Sequence, residues 1–182
     1  MAMADEFIAI GVDGEAVKLD LLPLIFPLHM ITGGMALLLV ATTILPRGTR
    51  WYKWAGRLTA GDILAAGITA PFVAWAAPVI FVSAAGFTAQ SIVWTALLIA
   101  GVWNIRRSNV AAHQACMILM AAVTSGALLF RIYLALWSHF GSPHYFKLFY
   151  ACNAWIAWGL PLLVTALVLR NRPLAAKQTF SL

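Results

Sequence analysis

The chain has few charged residues and only two cysteines. Asp, Glu, Lys and Arg make up 10% of the 182 residues, while 63% are hydrophobic and the mean hydropathy is +0.88. Because a soluble domain has about 25% charged and about 45–50% apolar residues, this composition excludes an ordinary soluble protein. Cys116 and Cys152 lie in different predicted helices, near opposite sides of the membrane. We therefore expect two small apolar side chains rather than a disulfide.

Sequence motifs of enzymes and nucleotide-binding proteins are also missing. There is no nucleophile elbow, P-loop, zinc-protease motif or Cys-x-x-Cys-His haem attachment, and we expect no catalytic residue and no metal site. Residues 1–20 contain five of the six acids and therefore lack the basic start of a cleavable signal peptide. The net charge of +6 does not indicate nucleic-acid binding, because no basic stripe with interleaved aromatic residues is present.

Long apolar stretches dominate what remains. A bilayer core of about 30 Å needs about 20 apolar residues per helix, and five stretches meet this requirement. The pattern predicts an all-α, polytopic bundle of five transmembrane helices that lies in the lipid bilayer. The predicted spans are Leu21–Leu45, Leu58–Val82, Phe87–Ile105, Val110–Trp137 and Leu148–Leu169, with turns at Ser83–Gly86 and Ser138–Lys147.

The positive charges predict the orientation of these spans. Nine of the twelve Lys and Arg residues form three patches, in the first loop, the third loop and the C-terminal tail. Basic loops stay on the cytoplasmic side, so we expect the N-terminus outside and the C-terminus inside a bacterial inner membrane. Residues 1–20 would then be a short polar extracytoplasmic tail, 21–170 the membrane domain and 171–182 a short basic cytoplasmic tail.

Four ionisable residues lie inside the predicted spans, where such groups are costly and are candidates for function. They are His29, Asp62, His113 and Arg131. His113 and Arg131 are eighteen residues apart, which is about five helical turns, so they share one face of their helix. Asp62 lies at a depth where it could face either His113 or Arg57. Each residue also has an ordinary structural interpretation, such as a carbonyl contact for His29 or snorkelling of Arg131 to the headgroups.

Two of these residues, His29 and His113, are candidate ligands for a b-type haem or a quinone. Helix rise places them about 20 Å apart along the membrane normal, so one haem iron cannot bridge them. His29 on helix 1 shares its face with Gly33, Ala36 and Val40, and small residues of this kind let helices approach closely. We therefore expect the His29 face to point into the bundle.

Three short stretches resemble a bacterial family of predicted membrane proteins, domain of unknown function 2306. They are residues 29–34 (HMITGG), 51–58 (WYKWAGRL) and 109–117 (NVAAHQACM), and the likeness extends over about residues 25–135. The second stretch matches a His-Arg-x-x-Gly-Arg motif, which implies an inner-loop motif of Tyr52, Lys53, Gly56 and Arg57. Tyr52 stands where the family has histidine, which argues against a ligand role there. The family name implies no activity.

A second similarity is to small histidine-bearing membrane proteins linked to cytochrome oxidase maturation. It involves His113, Met117, Tyr133 and His139, and it implies a connection with haem.

Three functions remain open from the sequence. The first is an accessory or assembly subunit of a larger membrane complex, which would have other membrane subunits as partners. The second is an electron-transfer protein that uses His29 or His113 to bind haem or a quinone. The third is transport of protons or small molecules along a path through Asp62, His113 and Arg131.

Overall fold

The structure, a computed structural model, describes residues 15–42, 50–76 and 79–171. Residues 15–21 are helical, and five long helices follow, each long and apolar enough to cross a membrane. The described part contains no β-strand, and the prediction of an all-α bundle with five spans is confirmed. The helices are α1 (Ile25–Thr42), α2 (Arg50–Ala76), α3 (Phe81–Arg106), α4 (Val110–Phe140) and α5 (Phe146–Asn171), with a 3-10 turn at Pro143–Tyr145.

Helix α2 begins earlier than the sequence predicts. It starts at Arg50, so Tyr52, Lys53, Gly56 and Arg57 lie in its first two turns, and their placement in a loop was wrong. Apart from Gly56, which costs about 1 kcal/mol relative to alanine, this stretch contains no residue that opposes a helix. The predicted end of the first span at residue 45 lies outside the described residues, as do residues 1–14 and 172–182.

The connection between α2 and α3 also differs from the prediction. Residues 83–86 are not a turn but part of the first turns of α3. Helix α2 ends at Ala76, two residues ahead of Pro78 in the sequence, where helical backbone becomes unfavourable. The small residues Ser83, Ala84 and Gly86 are buried. Here small side chains indicate a close helix–helix contact rather than a turn.

The turn before α4 is fixed by two residues. Ser108 adopts a left-handed conformation with φ of 60°, and the side chain of Asn109 accepts a hydrogen bond from the Ala112 amide at 3.2 Å. This bond satisfies one of the free N–H groups at the start of α4. At the other end, Gly141 ends α4 and Pro143 begins the 3-10 turn. This connection is shorter than the predicted turn Ser138–Lys147, because residues 138–140 belong to α4 and residues 146–147 to α5.

The five helices pack as a group of four with one helix added. Helices α1 to α4 contact one another in chain order, and α1 makes only a small contact with α4. Helix α5 packs against both α3 and α4. The main apolar core contains buried residues from each of α1 to α4, namely Ala36, Val40, Ile63, Leu98 and Met120.

Consecutive helices run in opposite directions, so the basic residues collect at one end of the bundle. We call this the basic end; its described members include Lys53, Arg57, Arg106, Arg107 and Arg170. Two of its arginines stack on tryptophan rings, with Arg57 at 5.4 Å from Trp54 and Arg107 at 4.2 Å from Trp103. The other end, where α1, α3 and α5 begin, is called the opposite end.

Candidate functional site at the two histidines

His29 lies near the start of α1 and contacts α2. Its Nδ1 atom is 3.2 Å from the carbonyl oxygen of Ala66 and 3.1 Å from Oγ1 of Thr69. The Thr69 hydroxyl itself donates to the Ala65 carbonyl at 2.8 Å, so its oxygen is free to accept. Because a carbonyl oxygen can only accept, Nδ1 carries the proton in both contacts. In the neutral ring, Nε2 is then left with a lone pair.

The face of α1 that carries His29 points into the bundle, in agreement with the sequence analysis. Thr32, Ala36 and Val40 are its buried residues. Ala36 and Val40 follow His29 at intervals of about two and three helical turns. Thr32 donates to the Leu28 carbonyl of its own helix at 2.8 Å, so its hydroxyl needs no partner from elsewhere.

Two cations at the opposite end influence the His29 ring through their charge. Lys18 and Arg131 both act electrostatically on it. Lys18 lies in the helical segment before α1, where burial lowers the pKa of its amine despite the opposing effect of Glu15. Arg131 is exposed and donates from Nη1 to the Ala127 carbonyl of its own helix at 3.0 Å. This bond uses one of the five N–H donors of the guanidinium.

His113 lies near the start of α4 at the basic end and contacts α3. Its Nδ1 atom is 2.9 Å from the carbonyl oxygen of Gly101, so Nδ1 again carries the proton and Nε2 has the lone pair. Cys116 and Met117 approach Gly101 from the same side. A Cβ atom at this position would meet the terminal methyl group of Met117, which is flexible and would have to move aside.

Asp62 does not meet His113. Helix α2 packs against α1 and α3, whereas the Nδ1 donor of His113 is used by α3. The Oδ2 atom of Asp62 is buried, and no donor in the described part of the chain reaches it. Arg57, the alternative partner, stacks on Trp54. The Oδ2 atom of Asp62 therefore makes no hydrogen bond with His113 in the described part of the chain, and the path through Asp62, His113 and Arg131 stays a prediction.

The two histidines form separate sites. Arg131, which acts on His29, is eighteen residues from His113 on α4, a separation of about 27 Å along a helix. His29 and His113 are therefore too far apart to occupy the two axial positions of one haem. Across residues 15–42, 50–76 and 79–171, no three His, Cys, Asp or Glu side chains converge as a metal site would require.

Asn153 is a buried polar residue that the sequence analysis missed. It lies on α5 and donates to the Phe130 carbonyl of α4 at 3.1 Å, while its Oδ1 atom is buried without a partner among the described residues. It is not ionisable, but an amide within an apolar run is also typical of a helix contact in membranes. A search of the predicted spans for Asn and Gln would have found it.

Comparison with known proteins supports the likeness noted from short motifs. The family model described as predicted membrane protein (DUF2306) matches residues 26–169, which extends the likeness through α5. No curated protein and no solved structure matches the chain. Since the family model covers most of the chain and all five spans, the protein belongs to the DUF2306 family of predicted membrane proteins.

Proposed function

We propose that the protein binds the head group of a membrane quinol at His29. The observation that supports this proposal is the paired contact of His29 Nδ1 with Ala66 and Thr69, which leaves Nε2 as an acceptor inside a membrane span. A quinol hydroxyl is a donor of the kind that this atom needs. Histidines that bind metal ions show the same division of roles, with one nitrogen donating to a backbone carbonyl and the other free for binding.

The charges around His29 favour the same ligand. Lys18 and Arg131 both act electrostatically on the ring, and their positive charge disfavours a further cation there. These charges favour the neutral ring, which accepts the quinol hydroxyl at Nε2 as a hydrogen bond without taking its proton. His113 has the same Nδ1 arrangement, but its site belongs to the basic end of the bundle.

Binding of radiolabelled decylubiquinol to the purified protein in lipid nanodiscs tests the proposal. Replacing His29→Leu should weaken binding about tenfold, which corresponds to the loss of one hydrogen bond. The matched control is His113→Leu, which removes a ring with the same tautomer at the other end and should leave binding unchanged. Equal affinities of the parent protein and the His29→Leu variant would refute quinol binding at this site.

A second candidate function is an accessory subunit of a larger membrane complex. Gly34 on α1 and Gly61 on α2 are exposed, and an added Cβ at either position meets no atom within 4 Å. Exposed glycines inside spans are suited to the close approach of another helix. Such an approach would use surface that the chain itself leaves uncovered.

Extraction in mild detergent tests this candidate. We expect the protein to migrate with a partner subunit, and we expect Gly34→Leu or Gly61→Leu to release the partner by blocking the approach. The control is Gly56→Leu, the same change at an exposed glycine near the basic end. A protein that is already a lone monomer before any substitution would argue against the subunit role.

A further inference from the structure

A groove of about 640 Å³ runs between α3 and α5 at the opposite end of the bundle. Val82 forms one wall, and Leu148, Cys152, Trp155 and Ile156 of α5 form the other. The indole Nε1 of Trp155 donates to the Val82 carbonyl at 3.1 Å. This bond connects the two walls, so the groove is part of the packing between α3 and α5.

The groove is apolar along its length and polar at its mouth. Lys147 and His144 line the mouth and are exposed. From Lys147, Cys152 is five residues and Ile156 nine residues further along α5, so the lining descends about 14 Å toward the bilayer centre. One leaflet of hydrocarbon is about 15 Å thick, and the groove therefore has the depth of one lipid leaflet.

No acid of the neighbouring helices balances the charge at the mouth. The chain has no Asp or Glu after Asp62, so α3, α4 and α5 carry none. The acids of the described part lie on α2 and in the segment before α1, whereas the helices that α5 mainly packs against are α3 and α4. Within the described residues, the helices packed around Lys147 therefore supply no acid to pair with it.

We propose that this groove binds an anionic phospholipid of the surrounding bilayer. Its phosphate would accept from the Lys147 ammonium, and one acyl chain would lie along the walls as far as Ile156. The combination of a cation at headgroup depth with an apolar channel below it matches the charge and shape of this lipid. A zwitterionic lipid would fill the same channel, but it would bring no net negative charge to Lys147.

Native mass spectrometry of the delipidated protein tests the proposal with phosphatidylglycerol and phosphatidylcholine of identical acyl chains. We expect phosphatidylglycerol to be retained about fivefold more strongly, the factor that one lysine near an anionic lipid supplies. Lys147→Gln should remove this preference and Lys147→Arg should keep it. The control is Lys18→Gln, the same change at a cation beside α1, which should not alter the preference.

The reaction of Cys152 with N-ethylmaleimide in detergent then locates the lipid. Cys152 is exposed and lines the groove, whereas Cys116 lies between α3 and α4 and provides a reference within the same molecule. We expect phosphatidylglycerol to slow modification of Cys152 severalfold and to leave that of Cys116 unchanged. Equal retention of the two lipids, a preference that survives Lys147→Gln, or retention that does not protect Cys152 would each overturn the proposal.

Discussion

Two backbone carbonyls determine the chemistry of the intramembrane histidines. Ala66 and Gly101 each accept a hydrogen bond from an Nδ1 atom on another helix. Such bonds between membrane helices stabilise the fold only modestly, by about 0.6 kcal/mol on average. Their larger effect is on the tautomer, because they direct the lone pair of the neutral ring to Nε2. The position of the carbonyl therefore decides which atom of each histidine is available to a ligand.

Gly126 offers a test of packing at the same scale. A Cβ at this position would lie 2.6 Å from Cβ and 2.9 Å from Cα of Trp158, and the backbone of α5 cannot yield as a flexible side chain would. We expect Gly126→Ala to destabilise the protein by about 1–3 kcal/mol, the usual cost of overpacking. Thermal unfolding in detergent measures this loss.

The matched control for Gly126 is Gly61→Ala on α2, where an added Cβ meets nothing within 4 Å. Alanine stabilises a helix by about 0.5–1 kcal/mol relative to glycine, so this variant should unfold at the same temperature or slightly higher. If Gly126→Ala behaves like Gly61→Ala, the close contact between α4 and α5 is not present in the protein.

At the scale of the helices, the sequence predicts the number of spans better than their bounds. Apolar runs of about 20 residues identify all five, since the bilayer imposes that length. The bounds of α2 are less predictable, because helices continue past the apolar run through residues such as Trp51 and Lys53 that tolerate the helix. The inward face of α1 could also be predicted, since His29, Ala36 and Val40 repeat with the helical period.

The partners of the site residues could not be predicted from the sequence. They depend on which helices are neighbours, and apolar runs contain little information about this. Because α1 packs against α2 and α4 packs against α3, His29 bonds to α2 and His113 bonds to α3. The expectation that Asp62 faces His113 assumed a contact between α2 and α4 at equal depth. Equal depth alone does not bring two helices together.

At the scale of the whole molecule, the asymmetry of charge sets the expected orientation. Exposed tryptophans accompany the basic residues at the basic end, with Trp51 82% and Trp54 and Trp103 each 56% exposed. Amphipathic rings of this kind sit at headgroup level. The opposite end has Lys147 and Lys18 as its main cations outside α4. We therefore expect the basic end to face the cytoplasm.

Fusion reporters test this orientation. A reporter after Leu182 should report a cytoplasmic position, and one before Met1 should report an external position. The control is a fusion within residues 141–145, the connection between α4 and α5, which should agree with the N-terminal reporter. A C-terminal reporter on the external side would contradict the orientation but not the five-helix fold.

The small contact between α1 and α4 has a consequence for how a ligand reaches His29. These helices complete the group of four, yet they make only a small contact with each other, so we expect a ligand to reach His29 from the hydrocarbon, between α1 and α4. A quinol that arrives this way is already dissolved in the lipid. Its apparent dissociation constant should then rise in proportion to the amount of lipid in the assay, and it should become constant only when expressed as moles of ligand per mole of lipid.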